Sequence, residues 1–268
     1  MSTQLILVAD SLGVTESMTS GGFEAIRSGL ASSGRIVVVG AWAREVARRY
    51  QGEDLGVELV LTSPHPILGY RPLTYAPTLM GGEGTFPGTV DDLLEHADAY
   101  EVYGELRAQL ERAILWGIGI SHLSVLQNSV WPRADLADVV LELAEEFHLA
   151  LRIASHYNEE QLGYDAYGLA RKRGIITPSE VLTASSDQSP HLIDNLIGGL
   201  SKPRVIADST TIELSATFAV PSPELHSYGT WGTQIIDVAL FPRYRTQLAT
   251  SLEQLALTMQ TYRNLNAH

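Results

Sequence analysis

Short apolar runs alternate along the chain with longer stretches in which apolar residues recur every three or four positions. The short runs predict buried parallel strands, because a strand covered on both faces carries a nearly continuous apolar sequence. The strands predicted in this way are residues 4–9, 35–39, 57–61, 118–125 and 149–154. The helices predicted from the longer spacing are residues 15–30, 43–50, 90–116 and 135–147. This succession of strand and helix predicts an α/β fold with a parallel sheet or barrel.

Residues 63–88 form a long stretch rich in Pro and Gly that follows the third predicted strand. A loop of that length inside a compact domain is usually a functional lid or wall, so we expect it to border a site. With 268 residues and 45% hydrophobic content, the chain can bury a large core. That size fits one α/β barrel as readily as two small domains.

Composition removes several classes of partner. No apolar run reaches the roughly 18 residues that a membrane-spanning helix needs, and the first residues carry no secretory signal pattern. We therefore expect no membrane partner and a cytoplasmic location. The chain has no cysteine, which excludes disulfides and thiolate chemistry. Its formal net charge of −13 disfavours nucleic acid, which selects basic surfaces.

Common catalytic motifs are missing from the sequence. The Gly-rich residues 81–84 are not followed by the Lys-Ser/Thr of a P-loop. No dinucleotide fingerprint follows the first strand, and neither the metalloprotease helix motif nor the serine-hydrolase elbow occurs. Nucleotide hydrolysis, dinucleotide redox chemistry and serine-hydrolase chemistry therefore have no support.

Three short motifs are the most informative stretches of the chain: LILVADSLG at residues 5–13, GVELVLT at residues 56–62 and SHLSVLQN at residues 121–128. Each resembles a signature of the YdjC-like carbohydrate deacetylases. In that family the first motif reads roughly ADDFG, the second GVHLTLT and the third THLDSH. The resemblance covers most of the chain, although residues 182–221 match poorly. It implies a single domain, residues 1–268, folded as a TIM-like parallel β/α barrel.

The resemblance also indicates where a divalent metal would be held. In the family the ligands are the second Asp of the first motif, the His of the second and the last His of the third. The corresponding residues here are Ser11, Glu58 and Leu126. Since a neutral serine is a poor ligand and leucine is none, we expect no metal and no cofactor. Asp10 matches the first Asp of the family motif, which acts there as general base.

Asp10 is the first candidate catalytic residue, because barrels of this type place their chemistry where strands end. The alternative is a turn or helix-capping role, since Asp-Ser-x-Gly is also common loop chemistry. Ser11 also has two possible roles. Its hydroxyl can bind substrate, or it can cap the helix expected to begin near residue 15.

Glu58 is the second candidate catalytic residue, and it stands where the family has a histidine. A carboxylate can still bind a hard cation, whereas a paired glutamate at the surface or core edge is the alternative. Its place near the start of the predicted strand argues for that alternative, and only the resemblance brings it to the site. If Glu58 shares a pocket with Asp10, repulsion and partial burial would raise one pKa and provide an acid and a base near neutral pH.

His122 is a third candidate. Two-residue alternation puts His122, Ser124 and Leu126 on one face if their strand extends that far. His122 would then approach the cavity one pleat deeper, and with Asp10 and Glu58 it would supply the three ligands of a rebuilt metal centre. A hydrogen-bonded structural histidine is the alternative.

The remaining candidates lie mostly in segments that follow strands. Tyr228 stands where the family has a His-Pro. Its phenol can donate a proton or stabilise an oxyanion, but a pKa near 10 makes it a poor base. Arg152 can hold an anionic or polyol group or pair with a buried carboxylate. Trp42 can serve as an aromatic platform or as ordinary packing. The full set of expected substrate contacts is Ser11, Trp42, Leu126, Gln127, Arg152 and His226.

These observations favour an enzyme that keeps the family pocket and performs metal-independent acid/base chemistry of the lyase, isomerase or cyclase type. The expected partner is a small molecule, either a sugar or a secondary metabolite, and a homodimer is possible. A deacetylase with a rebuilt metal site and a noncatalytic ligand-binding protein remain as alternatives. In the favoured interpretation Asp10, Glu58, His122 and Tyr228 line one cavity walled by residues 63–88.

Overall fold

Parallel strands form one curved sheet in a computed structural model that describes residues 3–65, 67–183, 211–227 and 236–266. The strands are β1 (Thr3–Leu12), β2 (Ser33–Ile36), β3 (Leu55–Leu59), β4 (Ile120–Val125), β5 (Ala150–Leu151), β6 (Glu180–Thr183), β7 (Thr211–Ala219), β8 (Ile236–Asp237) and β9 (Leu257–Met259). Their order is β5-β4-β3-β2-β1-β7-β6, with β9 paired to β1 and β8 paired to β7. Every pairing is parallel.

Helices connect most of these strands. They are α1 (Glu16–Arg27), α2 (Ala43–Arg49), α3 (Val90–His96), α4 (Ala99–Leu115), α5 (Ala134–Glu146), α6 (Glu159–Leu162), α7 (Ala166–Lys172), α8 (Pro223–Ser227), α9 (Phe241–Gln254) and α10 (Tyr262–Leu265). Short 3-10 turns occupy Pro77–Leu79, Leu126–Asn128 and Val238–Leu240. Among the described residues, no helix is both long and apolar enough to cross a bilayer.

The sheet curls until distant strands face each other. Four strands separate β5 from β7 in the sheet order, yet Arg152 beside β5 donates from Nε to Oε1 of Glu213 in β7 at 2.7 Å. The edge at β5 continues as well, because Leu151 N donates to Ile176 O at 2.8 Å. The fold is therefore α/β, with a parallel sheet curled into a half-barrel, in agreement with the TIM-like barrel expected from the sequence.

Alternation along the strands separates two environments. On β1, Leu7 packs in the large outer core between sheet and helices, whereas Ile6 and Val8 form an inner cluster with Ala150 and Tyr262. The inner cluster fills the end of the barrel where the strands begin. Polar side chains follow at the next inward positions, toward the end where the strands finish, which is the end at which barrels of this kind place their reacting groups.

Several element boundaries differ from the sequence prediction. The helix expected over residues 90–116 is two helices, because Asp98 accepts hydrogen bonds from the backbone N–H groups of Tyr100 and Glu101 and caps α4. β2 ends at Ile36, although the apolar run continues to residue 39. β3 begins two residues earlier than expected and β5 has only two residues.

Candidate active site

Two carboxylates project into the barrel near the ends of their strands. Asp10 lies in β1 opposite Thr217 of β7. Glu58 lies in β3, one residue before the strand ends at Leu59. The sequence-based position of Glu58 near the start of a strand is wrong, because β3 covers Leu55–Leu59 and not residues 57–61. Both carboxylates therefore occupy the end of the sheet at which barrels of this kind place their reacting groups.

Asp10 is held by one charged partner. Its Oδ1 accepts a hydrogen bond from Nε of Arg35 in β2 at 2.6 Å, and the Asp10 side chain keeps 20% of its surface exposed. Its Oδ2 accepts no hydrogen bond from a described residue. The arrangement fixes the carboxylate while leaving one oxygen available to a ligand.

Glu58 is partly buried and makes no hydrogen bond to a described residue. Burial raises its pKa to about 7, the negative charge of Asp10 adds to that effect, and the guanidinium groups of Arg35 and Arg152 oppose it. Near neutral pH, Glu58 can therefore exist in both protonation states. Its neighbour across the strand pair is Ser124 of β4, whose buried hydroxyl lacks a hydrogen-bond partner among the described residues.

Glu213 in β7 pairs with both arginines of the site and lies deeper in the barrel than Asp10 and Glu58. It is fully buried, and its Oε1 accepts hydrogen bonds from Arg35 Nη1 at 3.2 Å and from Arg152 Nε at 2.7 Å. Its Oε2 accepts a hydrogen bond from the hydroxyl of Tyr262 in α10. Burial by itself would raise the pKa of Glu213, but the two arginines and the tyrosine hydroxyl outweigh burial and lower it to about 2. Glu213 is therefore a permanent counter-charge for both arginines.

His122 lies deeper than the two carboxylates. Its ring is fully buried and stacks on Tyr262 with centroids 3.8 Å apart. Nδ1 shares a hydrogen bond of 2.9 Å with the Ser121 hydroxyl, and Nε2 has no hydrogen-bond partner among the described residues. Burial lowers the pKa of His122 well below its ordinary value, and Arg35 adds to that effect. The described contacts do not join His122 to Asp10 or Glu58.

The turn after β4 carries two expected substrate contacts. β4 ends at Val125, so the alternation expected to bring Leu126 onto the inward face stops one residue short. Leu126 is partly buried and packs against the outer core. Gln127 has a left-handed backbone with φ of 56° and accepts a hydrogen bond from the Thr62 hydroxyl at 2.9 Å. This bond ties the turn to the segment that follows β3.

Arg152 is buried and is held from two sides. Besides its bond to Glu213, its Nη1 donates to Oδ1 of Asn128 at 3.2 Å. The structure thus realises the second of its two sequence interpretations, pairing with a buried carboxylate. Its positive charge also lowers the pKa of Glu58.

Ser11 and Trp42 border the same end of the barrel. Ser11 has a φ of 68° and its hydroxyl lies 3.4 Å from the Thr217 hydroxyl. It does not cap α1, because Thr15 takes that role and accepts a hydrogen bond from Met18 N. Trp42 precedes α2 with 38% of its surface exposed. Its backbone N–H donates to the carbonyl of Gly13 at 2.8 Å, which ties the segments after β1 and β2 together.

Two expected residues fall beyond what the structure describes. Tyr228 lies outside the described residues. His226 belongs to α8, but its side chain is outside the described part of the chain. Their roles stay predictions.

The loop expected to wall the site, residues 63–88, is anchored by two buried polar residues of α4. Glu105 accepts hydrogen bonds from the backbone N–H and the hydroxyl of Thr74 at 2.9 and 2.7 Å. Gln109 donates to Val60 O at 2.8 Å and accepts from Val60 N at 3.0 Å. The chain is therefore fixed just before the loop and again in the middle of the loop.

The side chains at the family's metal positions do not fit a divalent metal. Ser11 offers a neutral hydroxyl, Leu126 offers no donor, and Glu58 offers one carboxylate. Within the described ranges, no group of three or more His, Asp or Glu side chains is arranged to hold a metal ion. The charged groups that the described residues bring to this end of the barrel are carboxylates and guanidinium groups.

Sequence reasoning missed three members of this constellation: Arg35, Glu213 and Tyr262. A signal was present for Glu213, since a charged residue between Ile212 and Leu214 of an apolar strand requires a buried partner. Arg35 likewise precedes an apolar run. The partners themselves lie too far away in the chain for any local pattern to connect them.

Comparisons with known proteins agree with this architecture. The family model described as YdjC-like protein matches residues 4–227. A carbohydrate deacetylase of Thermus thermophilus is 43% identical over 145 residues, which cover 54% of this chain and 51% of that protein. A carbohydrate deacetylase of Brevibacillus brevis is 31% identical over 152 residues, covering 56% and 58%. The chain thus spans about half the length of these curated relatives.

A solved structure extends the likeness over the whole fold. A protein of Enterococcus faecalis, described as a cellobiose-phosphate cleavage protein, matches with a TM-score of 0.77 and 20% identity over 99% of both chains. At that identity the likeness shows the shared fold.

Proposed function

This chain belongs to the YdjC-like family, and from that membership we propose that it is a carbohydrate-directed hydrolase of the deacetylase type. In this proposal Asp10 and Glu58 remove an acetyl group from a sugar without a bound metal. The proposal rests on the different surroundings of the two carboxylates that project into the barrel. Asp10 is ion-paired with Arg35 at 2.6 Å, whereas Glu58 has no hydrogen bond to a described residue.

From these different surroundings we assign the role of base to Asp10 and the role of acid to Glu58. The free oxygen of Asp10 accepts a proton from water as the water oxygen bonds to the acetyl carbon. Glu58, in its protonated form, donates its proton to the leaving oxygen or nitrogen as the bond to the acetyl carbon breaks. The products are the free sugar hydroxyl or amine and acetic acid, which releases the second proton of the water to solvent and leaves as acetate. The proton on Asp10 returns to Glu58 through water. Such divided pairs are a recognised way to run acid and base chemistry near pH 7.

Positive charge near the reacting atoms comes from the arginines. Arg152 and Arg35 both act electrostatically on Glu58, and a preorganised cation stabilises the oxyanion that develops in acyl transfer. Glu213 keeps both guanidinium groups in place. The carbohydrate itself is a proposal supported by the relatives, and Trp42 at the rim offers a partly exposed ring for a sugar face.

The test measures acetate release from acetylated sugars by the purified protein, with and without a chelator. Asp10→Asn and Glu58→Gln should each lower turnover by about 10²–10⁴-fold, because an amide keeps the shape but cannot transfer the proton. Glu111→Gln, an exposed change on α4, is the matched control and should retain full turnover.

Other outcomes point elsewhere. Acetate release that depends on added metal would establish a rebuilt metal site in place of the carboxylate pair. Consumption of a sugar without acetate release would favour lyase, isomerase or cyclase chemistry at the same pair. Sugar binding without any turnover would mark a noncatalytic binding protein.

A further inference from the structure

We propose that Tyr262 is a positioning residue for the carboxylate site and acts through Glu213. The inference rests on the proposed function, since it concerns the same site. Tyr262 lies in α10, beyond the residues 4–227 that the family model matches. It approaches the site from the end of the barrel where the strands begin, opposite the strand ends that carry Asp10 and Glu58.

The backbone and ring of Tyr262 are fixed independently of its hydroxyl. Its N–H donates to Oδ2 of Asp54 at 2.9 Å, and Asp54 also accepts a hydrogen bond from the Ser33 hydroxyl. Its ring stacks on His122 at 3.8 Å with an angle of 14° between the planes. The side chain is fully buried. A phenylalanine at this position would keep all of these contacts and lose only the hydroxyl.

The hydroxyl occupies the one carboxylate oxygen of Glu213 that the arginines do not use. Oε1 takes Arg35 Nη1 and Arg152 Nε, while Oε2 takes the Tyr262 hydroxyl. The hydroxyl thus competes with any guanidinium N–H for Oε2, and both arginines bond to Glu213 through Oε1 alone. In this arrangement Arg35 directs its Nε to Asp10 at 2.6 Å.

Removal of the hydroxyl would change that division. A vacant Oε2 attracts a second guanidinium N–H, because bidentate pairing of arginine with a carboxylate is the stronger geometry. Arg35 or Arg152 would then move toward Glu213 and away from the reacting end of the barrel. Asp10 would lose the partner that fixes it, although it lies in a different layer from Tyr262.

The experiment compares Tyr262→Phe with wild type and with Tyr164→Phe. Tyr164 is a matched control, because its hydroxyl donates to the Trp131 carbonyl at 2.5 Å and has no described contact with Glu213 or the arginines. The first readout is the NMR signal of the Arg35 and Arg152 Nε–H groups, identified with single Arg→Lys variants. The second readout is kcat and KM for acetate release.

We expect the Nε–H signals to move in Tyr262→Phe and to stay in place in Tyr164→Phe. We also expect kcat to fall by about tenfold to a hundredfold with KM little changed, because small misplacements of reacting groups carry that cost. Unchanged Nε–H signals in a folded Tyr262→Phe protein would overturn the inference, whatever the activity. Moved signals in a protein that shows no turnover on any sugar would support the positioning role while refuting the proposed function.

Discussion

Asp10 and Glu58 carry the same functional group and differ only in what surrounds them. Arg35 donates directly to Asp10, while Glu58 receives burial and a neighbouring negative charge. In the proposed mechanism, the difference between the acid and the base is therefore a property of the neighbours. We expect either role to be lost by changing a neighbour as readily as by changing the carboxylate.

The pH dependence of turnover follows from Glu58. Because its pKa is raised to about 7, the proton-donating form is present below that pH and disappears above it. We expect kcat to fall as pH rises through about 7, and Glu58→Gln to retain a low activity without this descending limb. Measurement of kcat from pH 5 to 9 in both proteins checks the assignment, and an unchanged limb in the variant would refute it.

Sequence alone led to Asp10 and Glu58 only through the family motifs. The charge partners were out of reach, because Arg35 and Glu213 lie 178 positions apart and periodicity describes only neighbouring residues. Alternation did predict that His122 lies one pleat deeper than the end of its strand, but it could not predict that the ring of Tyr262 covers it.

At the scale of single elements, β3 and β4 fit together because β3 has a glycine where the His122 ring lies. A methyl group on Gly56 would lie 2.5 Å from the His122 carbonyl oxygen and 2.6 Å from ring carbons. Side chains essentially never approach so closely. The requirement for glycine at this position is one of space, not of backbone conformation.

We expect Gly56→Ala to lower the free energy of unfolding by about 1–3 kcal/mol, the usual cost of overpacking a buried site. Gly104→Ala in α4 is the matched control. Its new methyl group would meet nothing within 4 Å, so it should stabilise by roughly 0.5–1 kcal/mol through helix propensity. Chemical denaturation measures both changes, and equal stability of the two variants would contradict the packing argument.

The helix α4 anchors the loop, and its sequence indicates this only in part. Its exposed charges are visible in the sequence, but Glu105 and Gln109 are fully buried. They make hydrogen bonds to the backbone of the loop and of the segment just before it. The helix prediction over residues 90–116 was right in type and wrong in continuity, because Asp98 begins a new helix. Side-chain caps of this kind interrupt a periodic pattern without changing it.

Glu105→Gln should loosen residues 67–88 in particular. The amide replaces one acceptor oxygen with a donor that faces the Thr74 N–H and hydroxyl. A lost hydrogen bond to a charged group costs about 1.5–3 kcal/mol. Limited proteolysis should therefore cut within the loop sooner in Glu105→Gln than in Glu111→Gln, and simultaneous cutting in both would exclude a specific anchor.

At the scale of the whole molecule, the α/β half-barrel was predictable because alternating strand and helix patterns leave few other architectures. The prediction of a single domain stays a prediction. No sequence pattern predicted the polar interior. There, charged side chains from β1, β2 and β7 and from the residue after β5 are joined by ion pairs. Curvature brings these strands together, and curvature leaves no periodic trace in the sequence.

Glu213, which is fully buried, and Glu58, which is partly buried, give the stability of the fold opposite pH dependences. Glu213 has a pKa lowered from 4.5 to about 2, so its stabilisation is complete above pH 4.5 and is lost as pH falls toward 2. Glu58 has a pKa raised from 4.5 to about 7, so the folded state binds its proton more tightly. The contribution of Glu58 therefore declines as pH rises from 4.5 to 7.

The free energy of unfolding of wild type relative to Glu58→Gln should consequently decrease between pH 4.5 and 7. The expected size is on the order of 3 kcal/mol as an upper value. Urea denaturation at a series of pH values measures it. A difference that is constant with pH would show that Glu58 titrates alike in the folded and unfolded chains.

The separation of Arg35 from Glu213 also has a consequence during synthesis. The ribosome adds the 178 residues between them at about 5–20 residues per second, which takes on the order of 10–40 s. For that time the nascent guanidinium has Asp10 as a counter-ion but cannot be taken out of water, because a buried charge without its full set of partners is costly. The Tyr262 hydroxyl is synthesised another 49 residues later.

We therefore expect ribosome-stalled chains to become resistant to protease only after residue 262 has emerged. Protection of shorter stalled chains would refute this order.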